Sequence, residues 1–119
     1  MTRLKVRNET RGAHLGASIL WANRMLSRMR GFLMRPQPAE GEGILLSPCK
    51  GVHMFGMKFP LDVLFLSREG EVVASYPNLA PGERTPLQRG AYHALELPVG
   101  TINRSGTRVG DVIEWGTAS

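Results

Sequence analysis

The sequence has little of several features that would fix its location or chemistry. Its single cysteine, Cys49, cannot form a disulfide within the chain, so packing must supply the stability and a reduced thiol is expected. No apolar run approaches the roughly 20 residues that span a membrane, and residues 1–16 lack the apolar stretch of a signal peptide. These absences predict a cytoplasmic protein without a membrane span.

Low-complexity tracts and internal repeats are also missing. The 119 residues are 42% hydrophobic and 21% charged, which is typical of a globular chain rather than a disordered one. A chain of this length accommodates one core. We therefore expect a single domain over residues 1–119.

Acidic residues are scarce in the first half of the chain. Residues 1–59 hold ten Lys or Arg against three acids, whereas residues 60–119 hold five against seven. A basic half can favour nucleic acid or another anionic partner, but its arginines are spaced apart. A solvated arginine-rich surface is the simpler interpretation, and nucleic-acid binding is a weaker alternative.

Short β-forming segments recur along the chain, separated by glycine and proline. They are residues 4–7, 15–21, 43–47, 62–67, 71–76, 92–97 and 111–115, with a turn at 68–70 that predicts a hairpin. Helical spacing occurs only near residues 22–30, before Gly31. Residues 77–90 contain three prolines and two glycines, which predicts a long mobile connection. The pattern indicates an all-β, mainly antiparallel sandwich or barrel with one short helix.

Residues 47–65 contain several side chains that are capable of chemistry, including the cysteine and a histidine. Cys49 and His53 are four positions apart, and nearby Pro48 and Gly51 disfavour a helix that would bring them together. A strand separates them by roughly 13 Å. Direct activation of the thiol by the imidazole is therefore disfavoured.

If residues 52–59 are extended, His53 shares one face with Phe55, Met57 and Phe59. His53 is then either a partly buried structural residue or a polar group in an apolar pocket. Cys49, His53, Met54 and Met57 are conceivable soft metal ligands. Since no CxxC or HxxxH pairing accompanies them, we interpret the methionines as core residues and expect no metal or other cofactor.

Two carboxylates lie within apolar strands. Asp62, between Leu61 and Val63, is expected to accept backbone N–H bonds at the turn after Pro60, or else to act as a general base. Glu96 is predicted to be exposed, since a strand would direct it away from its two leucine neighbours.

Three sequence blocks stand out in order along the chain: RMRGFLMRP, then EGEGILLSPCKGVHMFGMKFPLDVLFLSREGEVV, then YHALELPVGTINRSGTRVGD. Together they resemble the bacterial and archaeal domain of unknown function family 192, over roughly residues 28–111. Many relatives have Trp–Met–Lys–Asn where this chain has Met57–Lys58–Phe59 after Gly56. The resemblance implies a compact β-sandwich of jelly-roll type, and it implies no established activity.

Two functional hypotheses from different classes follow. The first is a non-catalytic binding or accessory domain that recognises a small ligand, glycan or protein through His53, Met57, Lys58 and Asp62, with Cys49, Met54 and Glu96 as weaker candidates. The second is a small hydrolase-like acid/base enzyme that pairs His53 with Asp62 or Glu96. No recognised catalytic motif supports the second.

Overall fold

A computed structural model describes residues 3–22 and 37–117 of the chain. Seven strands in this part of the chain form one sheet with the order β5-β4-β6-β3-β2-β1-β7. The strands are β1 (Arg3–Asn8), β2 (Ala13–Ala22), β3 (Glu42–Leu46), β4 (Leu61–Leu66), β5 (Val72–Leu79), β6 (His93–Leu97) and β7 (Ile113–Thr117). A short helix, α1 (Thr101–Ser105), follows β6.

The sheet is mixed. Strands β2 and β3 run parallel, with Leu20 opposite Ile44, and the remaining neighbours are antiparallel. The all-β prediction is confirmed, but the pairings describe one continuous sheet and do not confirm a two-sheet jelly-roll sandwich. The helix predicted near residues 22–30 lies outside the described residues, except for Ala22, which ends β2.

The seven predicted strands are confirmed, with small shifts at their ends. The predicted hairpin is β4–β5, and Gly70 closes its turn at φ 100°, a conformation that favours glycine. A side chain at Gly70 would also collide with the carbonyl oxygen of Ile113, 2.4 Å from an ideal Cβ atom. The strand β5 continues to Leu79, so it takes in the first residues of the predicted mobile connection.

The sheet curls so that the start of β5 and the turn before it bond with the segment that leads into β7. The N–H of Val72, at the start of β5, donates to the carbonyl of Asp111 at 2.8 Å, and the N–H of Gly110 donates to the carbonyl of Val72 at 2.8 Å. The N–H of Ile113 in β7 donates to the carbonyl of Gly70 at 2.9 Å. The result is a half-barrel whose concave side is shielded from solvent.

The central strands β3, β4 and β6 are buried on both sides of the sheet. Residues from all seven strands and α1 form the inner core, in which Val6, Ile19, Leu64, Leu95 and Ile113 pack together. The alternate residues of the central strands form the outer core, which is covered by side chains from residues 49–59. Because both sides are covered, all six residues of β4 are buried.

None of the helices within residues 3–22 and 37–117 is long and apolar enough to cross a membrane.

Candidate functional site

The central segment is a covering loop rather than a strand. Residues 51–60 contain a turn at 55–56 and one isolated bridge at His53. The predicted shared face of His53, Phe55, Met57 and Phe59 does not form, since Phe59 is buried and Phe55 is 77% exposed. His53 is also exposed, so of its two predicted alternatives the partly buried structural histidine is wrong.

A second loop holds this segment in place through a short ladder of backbone hydrogen bonds. The N–H of Met54 donates to the carbonyl of Glu83 at 2.7 Å, and the N–H of Thr85 donates to the carbonyl of Val52 at 2.8 Å. Val52 and Met54 point into the outer core. The alternate residue, His53, therefore points to solvent, because successive side chains of an extended segment lie on opposite sides.

An open groove of about 480 Å³ lies between these two loops, within the volume range typical of ligand sites. Its lining is mainly apolar: Gly51, Val52, His53, Phe55, Gly82, Arg84, Thr85 and Leu87. Phe55 and Leu87 are 77% and 82% exposed. Two large apolar side chains this exposed in one groove are typical of an interaction site rather than of scattered surface residues.

The polar part of the groove comes from one pair of residues. His53 and Arg84 are partners in an antiparallel bridge, which brings their Cβ atoms to about 5 Å of each other. The guanidinium of Arg84 carries a permanent positive charge and offers several donors. Glu83, the adjacent acid, accepts the N–H of Ala80 at 2.6 Å through its Oε1 atom. The groove thus combines an apolar lining with adjacent hydrogen-bond donors.

Two of the predicted binding residues lie outside the lining of the groove. Met57 is half-buried against the outer core, where it acts as a packing residue. Lys58 is exposed. Of the four residues predicted to share a binding face, His53 alone lines the groove.

Asp62 is a buried structural carboxylate. It is 1% exposed, its Oδ1 atom accepts the N–H of Asn78 at 2.9 Å, and its Oδ2 atom accepts those of Gly100 at 3.1 Å and Ile102 at 2.8 Å. Backbone bonding was expected, but the donors come from distant segments rather than from the turn after Pro60. Asp62 joins β4 to β5 and α1.

The weaker candidates are buried as well. Cys49 and Met54 belong to the outer core, and the Cys49 thiol donates to the carbonyl of Gly51 at 3.1 Å. Glu96 is 8% exposed, so the prediction of exposure is wrong. Its side chain does point away from Leu95 and Leu97, but that side of the sheet is the covered outer one.

Within residues 3–22 and 37–117, no group of three or more His, Cys, Asp and Glu residues is placed to hold a metal ion.

The sequence model of the DUF192 family, an uncharacterized ACR, matches residues 6–115. The chain belongs to this family. A UPF0127 protein of Thermococcus sibiricus is 28% identical over 113 residues, which cover 91% of this chain and 72% of that protein. The resemblance drawn from the three sequence blocks is therefore confirmed.

Two solved structures resemble this DUF192 chain. One is a Novosphingobium aromaticivorans protein of unknown function, with a TM-score of 0.79 and 23% identity, covering 94% of this chain and 83% of its own. The other is a Sinorhizobium meliloti protein named as a candidate transcription regulator, with a TM-score of 0.77 and 24% identity, covering 96% and 92% respectively. At these identities the likeness establishes the shared fold.

A buried histidine that the sequence did not single out lies elsewhere in the DUF192 fold. His93 is 5% exposed, and its ring lies edge-on to Tyr92 and Trp115, with centroids 4.8 Å and 4.9 Å away. Its Nε2 atom lies 3.3 Å from the carbonyl oxygen of Arg68, and its Nδ1 atom contacts the hydroxyl of Ser47. Since a carbonyl only accepts, Nε2 carries the proton and Ser47 donates to Nδ1.

Burial lowers the pKa of His93 from its ordinary value of 6.5. The hydrogen bond to the Arg68 carbonyl opposes this shift, and the Arg68 charge adds to it. The alternation of His93 with Leu95 and Leu97 is the sequence signal that could have predicted its burial. Its contacts link the start of β6 to Ser47, directly after β3, and to Trp115 in the middle of β7, which makes it a structural residue.

A second buried polar cluster surrounds Asp111 and was also missed. Asn8 donates to Asp111 at 3.0 Å and to Thr107 at 2.9 Å, and Arg11 donates to both carboxylate oxygens at 2.9 and 3.3 Å. The Arg11 guanidinium beside Asp111 lowers the pKa of that carboxyl to about 2. This cluster fastens the end of β1 to the turn before β7.

Proposed function

We propose that the groove between the two loops binds a small molecule with an apolar body and an anionic group. The observation that carries this proposal is the placement of His53 and Arg84 side by side in a groove that Phe55 and Leu87 also line. A guanidinium with an adjacent imidazole suits a carboxylate, sulfonate or phosphate, because each anionic oxygen accepts hydrogen bonds. The apolar body would cover Phe55 and Leu87.

The groove supports this ligand class better than a glycan or a catalytic reaction. A glycan presents many hydroxyl groups, and this lining is mainly apolar. Acid/base chemistry would need a carboxylate within reach of His53. Both oxygens of Asp62 already accept backbone N–H bonds, Glu96 is only 8% exposed, and the Oε1 atom of Glu83 accepts the N–H of Ala80. Binding without catalysis is therefore the function that we propose, in a protein that we expect to act in the cytoplasm.

A pair of matched fluorescent probes tests the proposal. 8-Anilinonaphthalene-1-sulfonate carries an anionic group, and N-phenyl-1-naphthylamine presents a similar apolar body without charge. The wild-type protein should bind the sulfonate saturably and more tightly than the amine. Arg84→Gln should weaken sulfonate binding about tenfold, as expected for a lost charge-assisted hydrogen bond, and should leave amine binding nearly unchanged.

Arg89→Gln is the matched control, since Arg89 is also exposed and does not line the groove. Leu87→Ser should weaken the binding of both probes, because it removes apolar contact area. Equal affinities of Arg84→Gln and Arg89→Gln for the sulfonate would reject the proposed anion site. Unchanged affinities in Leu87→Ser would reject the groove itself.

A further inference from the structure

A separate surface carries charge of one sign on the first strand of the sheet. The burial of β1 alternates strictly, with Arg3, Lys5 and Arg7 exposed and Leu4, Val6 and Asn8 buried. The three cations therefore share one side of the strand, spaced about 6.6–6.8 Å apart along it. We call Arg3, Lys5 and Arg7 the β1 cation row.

The surface beside this row is open. Lys5 lies opposite Gly116 of β7, and an ideal Cβ atom built on Gly116 meets nothing within 4 Å. Among residues 3–22 and 37–117, the outer core ends at Leu20 and Ala22 on β2 and takes in no residue of β1 or β7. A linear partner could thus approach the row without displacing a side chain of β7 at Gly116.

The row is only partly neutralised by its neighbours. Arg7 forms an ion pair with Glu9 at 2.9 Å and lies opposite Glu114. Arg3 donates from Nη1 to the hydroxyl of Ser18 at 2.7 Å, which orients the guanidinium, and within residues 3–22 and 37–117 it forms no ion pair. The end of the row formed by Arg3 and Lys5 therefore carries most of the net positive charge.

We infer that the β1 cation row binds the phosphodiester backbone of single-stranded nucleic acid. A straight row of three cations on an open strand can follow one chain of phosphates, and guanidinium groups bind phosphate oxygens in pairs. Such contacts neutralise phosphates without reading bases. Binding is therefore independent of base sequence and sensitive to salt.

The inference predicts how strongly the affinity for the oligonucleotide falls as the salt concentration rises. For a single strand, the slope of log affinity against log salt is about −0.7 for each phosphate neutralised, so contacts at Arg3 and Lys5, the two cations of the row without an ion pair among the described residues, predict a slope of about −1.4. Fluorescence anisotropy of a labelled 15-nucleotide oligothymidylate, titrated with protein at 20 to 200 mM salt, measures this slope. The triple variant Arg3→Gln, Lys5→Gln, Arg7→Gln should lose most of the binding at 20 mM salt.

The matched control removes the same charge elsewhere. Arg89, Arg104 and Arg108 are exposed and lie outside β1, so their triple Gln variant should retain the wild-type slope. Circular dichroism and thermal melting establish that both variants fold. Equal loss in the two variants, or no binding by the wild type at 20 mM salt, would overturn the inference. Loss of binding to phosphatidylserine vesicles with unchanged oligonucleotide binding would overturn it in favour of a membrane surface.

Discussion

Asp62 holds the first turn of α1 through Ile102, whose N–H donates to the Oδ2 atom at 2.8 Å. The same carboxylate accepts two further backbone N–H groups. Asp62→Ala leaves these donors without their acceptor, and we expect a loss of about 2–4 kcal/mol in the free energy of unfolding. Urea unfolding monitored by tryptophan fluorescence measures the loss.

Glu69→Ala serves as the control for that experiment, because it removes an exposed acid and should change the free energy of unfolding by less than about 0.5 kcal/mol. An Asp62→Ala variant as stable as Glu69→Ala would contradict the structural role. It would also reopen a binding or catalytic role for Asp62.

Asp111 should make the fold sensitive to strong acid. Arg11 lowers the pKa of this carboxyl from 3.8 to about 2, so the folded state binds fewer protons than the unfolded state between these values. Its stabilising contribution is complete above about pH 4 and is lost as the pH falls toward 2. Arg11→Gln should move that loss to higher pH, as measured by urea midpoints from pH 5 to pH 2. Identical acid profiles for Arg11→Gln and wild type would argue against this linkage.

His93 should produce a second pH dependence, near neutrality. Because burial lowers its pKa below 6.5, the unfolded state takes up a proton that the folded state resists. The free energy of unfolding should therefore fall as the pH decreases below about 6.5. His93→Gln, which does not titrate there, should be less stable at pH 7.5 but show a flatter profile from pH 7.5 to 5.5. A slope equal to that of the wild type would show that His93 does not cause it.

Gly43 should tolerate no side chain. An ideal Cβ atom at this position lies 2.4 Å from the carbonyl oxygen of Glu96 in the neighbouring strand. Gly43→Ala must push β3 from β6 and should cost about 1–3 kcal/mol, as overpacking does in other cores. Gly116→Ala is the control, since a Cβ atom there meets nothing within 4 Å. Equal thermal midpoints for the two variants would refute the close approach.

The strands were predictable because their signals are local. The alternation of Leu4, Lys5 and Val6 is sufficient to place β1, and the glycine at position 70 marks the hairpin turn. The predictions that failed depend on distant residues. Glu96 alternates with leucines as an exposed residue would, yet the loop of residues 49–59 covers its side of the sheet. The sequence of β6 alone therefore could not predict that Glu96 is buried.

In the candidate site, too, some features were predictable from local sequence and others depend on distant residues. His53 was selected from its chemistry, and it does line the groove. Its partner Arg84 lies in a segment predicted only as a mobile connection, and the bridge between them requires the two loops to pair. Asp62 was selected too, but its donors Asn78, Gly100 and Ile102 reach it only through the fold. Residue type was thus sufficient to select candidate site residues. Their roles depend on contacts between segments that are distant in the sequence.

The fastening of Asn8 to Asp111 has a kinetic consequence. These residues are 103 positions apart, and β1 pairs with β7 from Leu4 to Asn8. Loop-closure entropy must be overcome before such distant pairings stabilise the chain, so folding should take milliseconds to seconds rather than microseconds. During that interval the edge of β1 that later pairs with β7 is still unpaired. Association between chains then competes with completion of the sheet.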